Sequence, residues 1–325
     1  MIGFRAGLST QDAMRMIKHH IIDGSTRDTR ALLGRDLEKA FDNVLHEYIL
    51  ASIADLKLGP RLYNYVRSFL MERKAKQRIG EFVSDEVLLG PQGTPQGSVI
   101  SSTLFNICMV GLSRKLAQVE GIKHAIYADD ITIWCTGGSE EQVKSAMQEA
   151  VDVTEQYLLP TRLSGDPIPR VDTIRVLGMF IESGGGNGTA LRKIIAKTDN
   201  AFRLVRRVTN RRRGLKEDNL IPLNAFVLCH FNCMVAMDNW LRAGRDKLNA
   251  LIRKIVKKAL GLPVRTHTED LLRLGLHNTM EEIAQAQERA QLTRLSTTPA
   301  GRRILEEIGL TPPRTWLATP RFPEK

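Results

Sequence analysis

The 325-residue sequence predicts an α+β domain followed by a basic helical region. Three observations carry that prediction. Up to about residue 182, short segments rich in β-formers alternate with segments of helical periodicity. Beyond Ser183-Gly-Gly-Gly-Asn-Gly188, nearly every segment carries helical spacing, and the glycine-rich stretch marks a boundary. The charge changes along with the periodicity. Residues 1–160 hold 18 Lys+Arg against 20 Asp+Glu, a net of −2, whereas the remainder holds 29 against 16, a net of +13.

Arg30–Leu37 reads as the first strand. Phe41, Val44, Leu45, Tyr48 and Ile49 fall at helical spacing, and Gly59-Pro60 closes that helix. Leu62, Tyr63, Val66, Phe69 and Leu70 make a second helix. Gln77–Val83 and Val87–Leu89 predict a hairpin around Ser84-Asp85. The turn Gly90-Pro-Gln-Gly-Thr-Pro-Gln-Gly97 leads into a helix from Ser98 to Leu116. Ala125-Ile-Tyr-Ala-Asp-Asp-Ile-Thr-Ile-Trp134 then reads as strand, acidic turn, strand. Ser139, with acids in the turn after it, caps a helix running to about Leu158, because a serine hydroxyl accepts from the first free amides. Val171–Ile181 returns to strand.

At 42% hydrophobic, the chain has the apolar content for a sizeable core. No apolar run approaches the roughly 18 residues of a membrane span, and no signal-peptide pattern follows Met1. Four scattered cysteines fit a reducing compartment. The expectation is a soluble protein of the nucleus or cytoplasm that is not secreted and does not touch membranes. Cys229 and Cys233 flank His230 inside an apolar run without a second ligand pair, which predicts buried thiols rather than a metal site.

The chemistry centres on acids. Asp36 ends the first strand, and Asp129-Asp130 occupy the turn of the later hairpin. If the strands pair, three carboxylates meet at one end of a sheet. Two such charges about 4 Å apart repel by ~4 kcal/mol at an effective dielectric of about 20. Divalent cations offset that repulsion, and an all-oxygen set suits Mg²⁺. Two such ions clamp both the attacking and the leaving oxygen of an in-line phosphoryl transfer. Taken alone, an Asp-Asp pair is more often a turn-capping pair. The run Arg206-Arg-Val-Thr-Asn-Arg-Arg-Arg-Gly-Leu-Lys216 suits either a solvated helix face or a polyanion partner.

The surroundings of the acids resemble one family. Tyr127-Ala-Asp-Asp130 resembles the Tyr-x-Asp-Asp box of reverse transcriptases, in the form found in non-LTR (LINE-like) retrotransposons. Gly93-Thr-Pro-Gln-Gly-Ser98 resembles the family's Gly-x-Pro-Gln-Gly-Ser box, and Asp36-Leu-Glu-Lys-Ala-Phe-Asp-Asn-Val44 its first catalytic box. Gly3-Phe-Arg5 with Ser9-Thr10 resembles an upstream segment, and Val176-Leu-Gly-Met179 the primer-grip box. Five boxes stand in the family's order over residues 1–182, while the later chain, including Leu262–Glu269, resembles tick-type elements.

The resemblance implies a right-hand polymerase palm with partial fingers over 1–182, a thumb-like region over 183–260 and a helical extension over 261–325. It implies an RNA-directed DNA polymerase that uses two Mg²⁺ (or Mn²⁺), an RNA template, a DNA primer and deoxynucleoside triphosphates. Asp36, Asp129 and Asp130 would be catalytic, with the Leu37 carbonyl as a further metal ligand. Phe41 would be the steric gate against a 2′-hydroxyl, and Pro95, Gln96 and Gly97 the floor under nucleotide and template. Leu177 and Gly178 would grip the primer. Arg206, Arg207, Arg211, Arg212, Arg213 and Lys216 would contact nucleic-acid phosphates, a salt-sensitive and sequence-independent interaction.

The chain also departs from the family. The basic fingers segment upstream of the Gly-Phe-Arg box is missing, no Lys stands at the family's position between Tyr157 and Pro169, and Ser102 replaces a usual Pro. Pro222 is expected to break a thumb helix. These departures predict a truncated copy of a transposable element. They leave open a second reading, a degenerate remnant that binds nucleic acid without polymerising. Maturase-like and telomerase-like polymerases are more distant alternatives.

Overall fold

The computed structural model describes residues 1–24, 28–161, 168–209, 223–232, 234–263, 265–273 and 279–310. The chain is a mixture of helices and antiparallel strands, as expected, and packs into two compact units. The first comprises residues 1–10 and 25–170, the second residues 11–24 and 171–325. Helix α1 (Thr10–Ile17) packs in the second unit although it comes first in the chain.

The first unit continues with β1 (Ala31–Asp36), α2 (Ala40–Asn43), α3 (His46–Asp55) and α4 (Pro60–Leu70). Four two-residue strands follow, β2 (Lys74–Ala75), β3 (Arg78–Ile79), β4 (Phe82–Val83) and β5 (Val87–Leu88). Then come α5 (Val99–Leu116), β6 (Ile122–Tyr127), β7 (Asp130–Cys135) and α6 (Glu140–Leu158). The main sheet is antiparallel in the order β1-β7-β6. Residues 131–135 of the central strand are all buried, the pattern of a strand covered on both faces. Phe105, Met109, Leu112 and Leu116 of α5 and Val143, Ala150 and Leu158 of α6 pack with Ile126, Ile131 and Ile133 of the sheet. Each such large apolar side chain contributes roughly 1.5–3 kcal/mol by leaving water. Leu104 and Cys108 of α5 also join Val44, Ile49, Ile53, Val66 and Leu70, so α5 is the shared wall of two apolar clusters. Ser139 caps α6 as expected, in a reciprocal box with Gln142.

Three of the expected elements need correction. The helix expected over 41–49 is split, because Val44 and Leu45 are extended and hold the Pro91–Gly93 turn by backbone hydrogen bonds. The arm after α4 turns at Gly80-Glu81, where Gly80 adopts a positive φ, and not at Ser84-Asp85. Ser84 lies across from Gln77, bonded to it in both directions, and β2 pairs with β5 farther out. Val171–Ile181 is not one strand but a hairpin, β8 (Thr173–Val176) and β9 (Met179–Glu182). Its two-residue turn is Leu177-Gly178, both at positive φ, as the tight turns that suit the strand twist require.

The second unit adds α7 (Gly188–Thr209), short helical turns over Leu223–Leu228 and Cys229–Asn232, α8 (Arg242–Ala259), α9 (Thr268–Arg273), α10 (Met280–Thr297) and α11 (Pro299–Glu307). Its core gathers Ile194, Phe231, Leu248, Ile252, Ile255 and Val256. Cys229, expected to be buried, is half-buried, and Cys233 lies outside the described residues. α1 is joined to α10 through charge. The Asp12 carboxylate, 0% exposed, accepts from both terminal nitrogens of Arg294 at 2.9 and 2.6 Å and from Gln291 Nε2 at 2.9 Å. Arg15 donates to Gln291 Oε1 at 2.7 Å and to Glu288 at 3.0 Å. Among the described residues, no helix is long and apolar enough to cross a membrane.

Candidate active site

β1 and β7 pair in the register Asp36↔Asp130, so the first and last of the expected acids stand directly opposite each other. The Leu37 amide donates to the Asp129 carbonyl at 3.3 Å. The Asp36–Asp130 pair is therefore a non-hydrogen-bonded one, in which Cα atoms approach to about 4.5 Å and side chains come closest. Asp129 sits in the turn beside them, half-exposed like Asp130, and Asp36 is exposed. Neither the Asp36 nor the Asp129 carboxylate has an ion-pair or hydrogen-bond partner among the described residues. Among those residues, no three His, Cys, Asp or Glu side chains converge closely enough to form a metal-binding set. The all-oxygen chemistry of the opposed pair nevertheless fits a hard divalent cation, and the buried Leu37 places its main chain next to it.

The turn that carries Asp129 is strained and tightly backed. Ala128, buried, has φ 55°, a region that is costly for a residue with a Cβ. Ile2 and Gly3 both donate to the Ile126 carbonyl, at 2.9 and 3.3 Å. A Cβ on Gly3 would lie 2.6 Å from the Ala128 nitrogen, so only glycine lets the N-terminal segment lie against the hairpin. Asn106 of α5 fixes the Gly3 carbonyl at 2.8 Å.

Phe41 lies in α2, half-buried. Its ring packs on Phe105, with centroids 4.7 Å apart, and meets Phe4 edge-on at 6.4 Å. Phe4 in turn stacks on Tyr127 at 6.2 Å. A row of four rings thus runs from the buried face of α5 to the acidic hairpin. Phe4 is 54% exposed at a positive φ, and the spacing of the motifs did not single it out. Its only signal is position, one residue after a glycine in the upstream box. Glu38 and Lys39 are exposed.

The Gly93–Gly97 loop is held by the same segment. Thr94 donates its amide (2.6 Å) and its hydroxyl (3.3 Å) to the Phe41 carbonyl. The Gly93 amide donates to Val44 O at 2.8 Å, and His46 Nε2 lies 2.8 Å from Gly93 O. Gly93 has φ 80°, and a Cβ there would be 2.8 Å from the Asp42 carbonyl. Gln96 turns its amide onto the Asp42 carboxylate, at 2.9 and 3.1 Å. Pro95 accepts from the Ser101 hydroxyl, which ties the loop to the first turn of α5.

Asp36, Leu37, Phe41, Pro95, Gln96, Gly97, Asp129 and Asp130 thus share the first unit. Leu177 and Gly178 form the β8–β9 turn of the second unit. Arg206 and Arg207 lie on α7, and Arg207 is exposed. Arg211, Arg212, Arg213, Lys216 and Pro222 lie outside the described residues. A cleft of about 540 Å³ in the second unit, lined by Asp238, Trp240, Arg245, Met280 and Glu281 among others, contains none of the expected site residues.

An acidic hairpin paired to an acid-ended strand, backed by a glycine-rich loop, matches a known family at the level of the whole domain. The model of the reverse transcriptase (RNA-dependent DNA polymerase) family matches residues 1–164, half of the chain, and the chain belongs to that family. Among similar proteins is the RNA-directed DNA polymerase from mobile element jockey of Drosophila funebris, 22% identical over 308 residues, 83% of this chain and 32% of the relative. Another is the retrovirus-related Pol polyprotein from type-1 retrotransposable element R1 2 of Nasonia vitripennis, 25% identical over 211 residues, 54% of this chain and 51% of the relative. The chain spans about a third to a half of the length of these relatives. The resemblance to non-LTR retrotransposon reverse transcriptases is borne out by them. A solved telomerase from Candida albicans, in complex with a fragment of telomeric RNA, overlays with a TM-score of 0.37 and 10% identity over 93% of this chain and 55% of that one.

Proposed function

We propose that the chain is the RNA-directed DNA polymerase domain of a non-LTR retrotransposon, extending a DNA primer along an RNA template. The observation that carries the reading is the Asp36↔Asp130 register, which sets two acids face to face beside Asp129. In this reading Asp36, Asp129 and Asp130, with the Leu37 carbonyl, hold divalent cations, Mg²⁺ or Mn²⁺. When bound, such ions neutralise the acids and polarise the primer 3′-hydroxyl and the triphosphate. Phe41 lies under the incoming sugar, and its rigid ring rejects a 2′-hydroxyl. Pro95, Gln96 and Gly97 form the floor beneath nucleotide and template, a place where small residues let backbone approach closely.

Leu177 and Gly178 grip the primer, and the basic run from Arg206 and Arg207 through Arg211, Arg212, Arg213 and Lys216 holds duplex phosphates. Residues 1–182 act as palm with partial fingers, 183–260 as thumb and 261–325 as a helical extension.

A second reading, a nucleic-acid-binding relative that does not polymerise, is favoured by one feature: no Lys lies between Tyr157 and Pro169. Primer extension on an RNA template with Mg²⁺ or Mn²⁺ separates the two. Extension that disappears in the Asp129→Ala/Asp130→Ala chain supports the polymerase. No product, or equal product from both chains, together with retained and salt-sensitive primer–template binding, supports the binding-only reading.

A further inference from the structure

The charge of the first 160 residues is segregated. Residues 60–80, covering α4 and the start of the arm, hold six cations against one acid, a net of +5. The rest of 1–160 holds 12 cations against 19 acids, a net of −7. α4 itself has no acid at all. Rings interleave with the cations. Arg61, Tyr65, Phe69 and Arg73 recur every fourth residue, which sets them in one row along the helix and just past its end. Tyr65 is 57% exposed, and its ring lies 10° from parallel to that of Phe69, with centroids 6.4 Å apart. The Arg73 guanidinium carbon sits 5.8 Å from the Phe69 centroid. Val66 and Leu70 are buried in the cluster shared with α3 and α5, and half-buried Phe69 packs against it.

A solvated helix face accounts for the cations but not for the exposed Tyr65 ring stacked parallel on Phe69. A protein-docking patch accounts for the rings but not for the dense positive charge, since charge is depleted at the core of such interfaces. A nucleic-acid single strand accounts for both: its phosphates meet the cations, its unpaired bases stack on the rings, and a guanidinium extends the stacking surface. A duplex buries its bases in its own stack and leaves the rings unused. We infer that the Arg61–Tyr65–Phe69–Arg73 row is a track for single-stranded nucleic acid, separate from the catalytic acids. The arm continues the same chemistry through Arg78 and Phe82, the latter 84% exposed. Lys74 and Lys76 are engaged by Glu86 and contribute less.

This track rests on α4 and does not require that the chain polymerise. The test uses the full chain and a fluorescent oligouridylate of about 15 nucleotides carrying one 4-thiouridine. The Arg61→Ala/Tyr65→Ala/Arg73→Ala chain is expected to bind the strand about tenfold or more weakly, with an unchanged melting temperature. Tyr65→Phe is expected to bind as the unmodified chain does, and Tyr65→Leu to lose affinity, because leucine keeps apolar area but has no π-face. The crosslinked peptide is expected to contain Tyr65, and a blunt duplex to compete poorly. Unchanged binding by the triple variant or by Tyr65→Leu, crosslinks confined to other segments, or equal competition by duplex would each overturn the track. An Asp129→Ala chain that cannot extend a primer but still crosslinks at Tyr65 would separate failure of catalysis from failure of the track.

Discussion

The Asp36–Asp130 pair opposes two carboxylates where the strands approach most closely. Asp36→Asn is expected to raise the melting temperature in the absence of divalent cations, because it removes a like-charge repulsion. Mg²⁺ is expected to raise the melting temperature of the unmodified chain and not of the variant, since only an ion bound to the folded state stabilises it. Thermal melts with and without Mg²⁺ read both effects. In primer extension, Asp36→Asn is expected to lose more than the roughly 100-fold that outer-shell partners of a metal site typically cost. Phe41→Val is expected to raise incorporation of ribonucleotides, and Phe4→Leu to do so to a smaller degree, because the Phe4 edge supports the Phe41 ring. A ratio of ribo- to deoxynucleotide use that stays constant in both variants would exclude Phe41 as the gate.

At the scale of elements, the Gly93 turn and the α1–α10 bridge make the most specific demands. Gly93→Ala combines a positive φ with a Cβ 2.8 Å from the Asp42 carbonyl, and is expected to destabilise the chain by about 1–3 kcal/mol or more in denaturant unfolding. Asp12→Ala strands Arg294 and Gln291 in a buried network, and loss of about 3–5 kcal/mol is expected. The elements differ in how far the sequence revealed them. Strong local signals, the Ser139 cap, the apolar period of α5 and the acid turn between β6 and β7, were legible because each is determined within a few residues. The split at Val44-Leu45 was not, because it depends on pairing with Pro91–Gly93, almost fifty residues away. The arm was misplaced because two turn signals, Gly80 and Ser84-Asp85, compete within five residues and only the pairing decides between them. Of the site, the acids and the glycine loop were legible as motifs. The stacking of Phe4 on Tyr127 was not, since nothing local links positions 4 and 127.

At the scale of the whole molecule, a half-buried acid, Asp238, adds a pH dependence to the second unit. Burial pushes the Asp238 carboxyl from 3.8 up to about 6; the Asn239 amide and the Lys18 charge pull it down, and the Glu182 charge pushes it up. Its Oδ2 is buried with no hydrogen-bond partner among the described residues. The folded state then binds this proton more tightly than the unfolded chain. This group therefore adds stability as pH falls from about 6 towards about 4, and the gain is lost as pH rises through that window. Asp238→Asn is expected to raise the melting temperature near pH 7 and to change it little near pH 4. Equal shifts at both values would show that the carboxylate pays no burial penalty. The bridge between α1 and α10 has a consequence in time. Asp12 leaves the ribosome 282 residues ahead of Arg294. At about 5–20 residues per second, the acid waits roughly 15–55 s for its partner to be synthesised. Throughout that interval α1 has no completed unit to join, so a nascent chain halted before α10 is expected to be cut by protease near α1, and one released after α10 to be protected there.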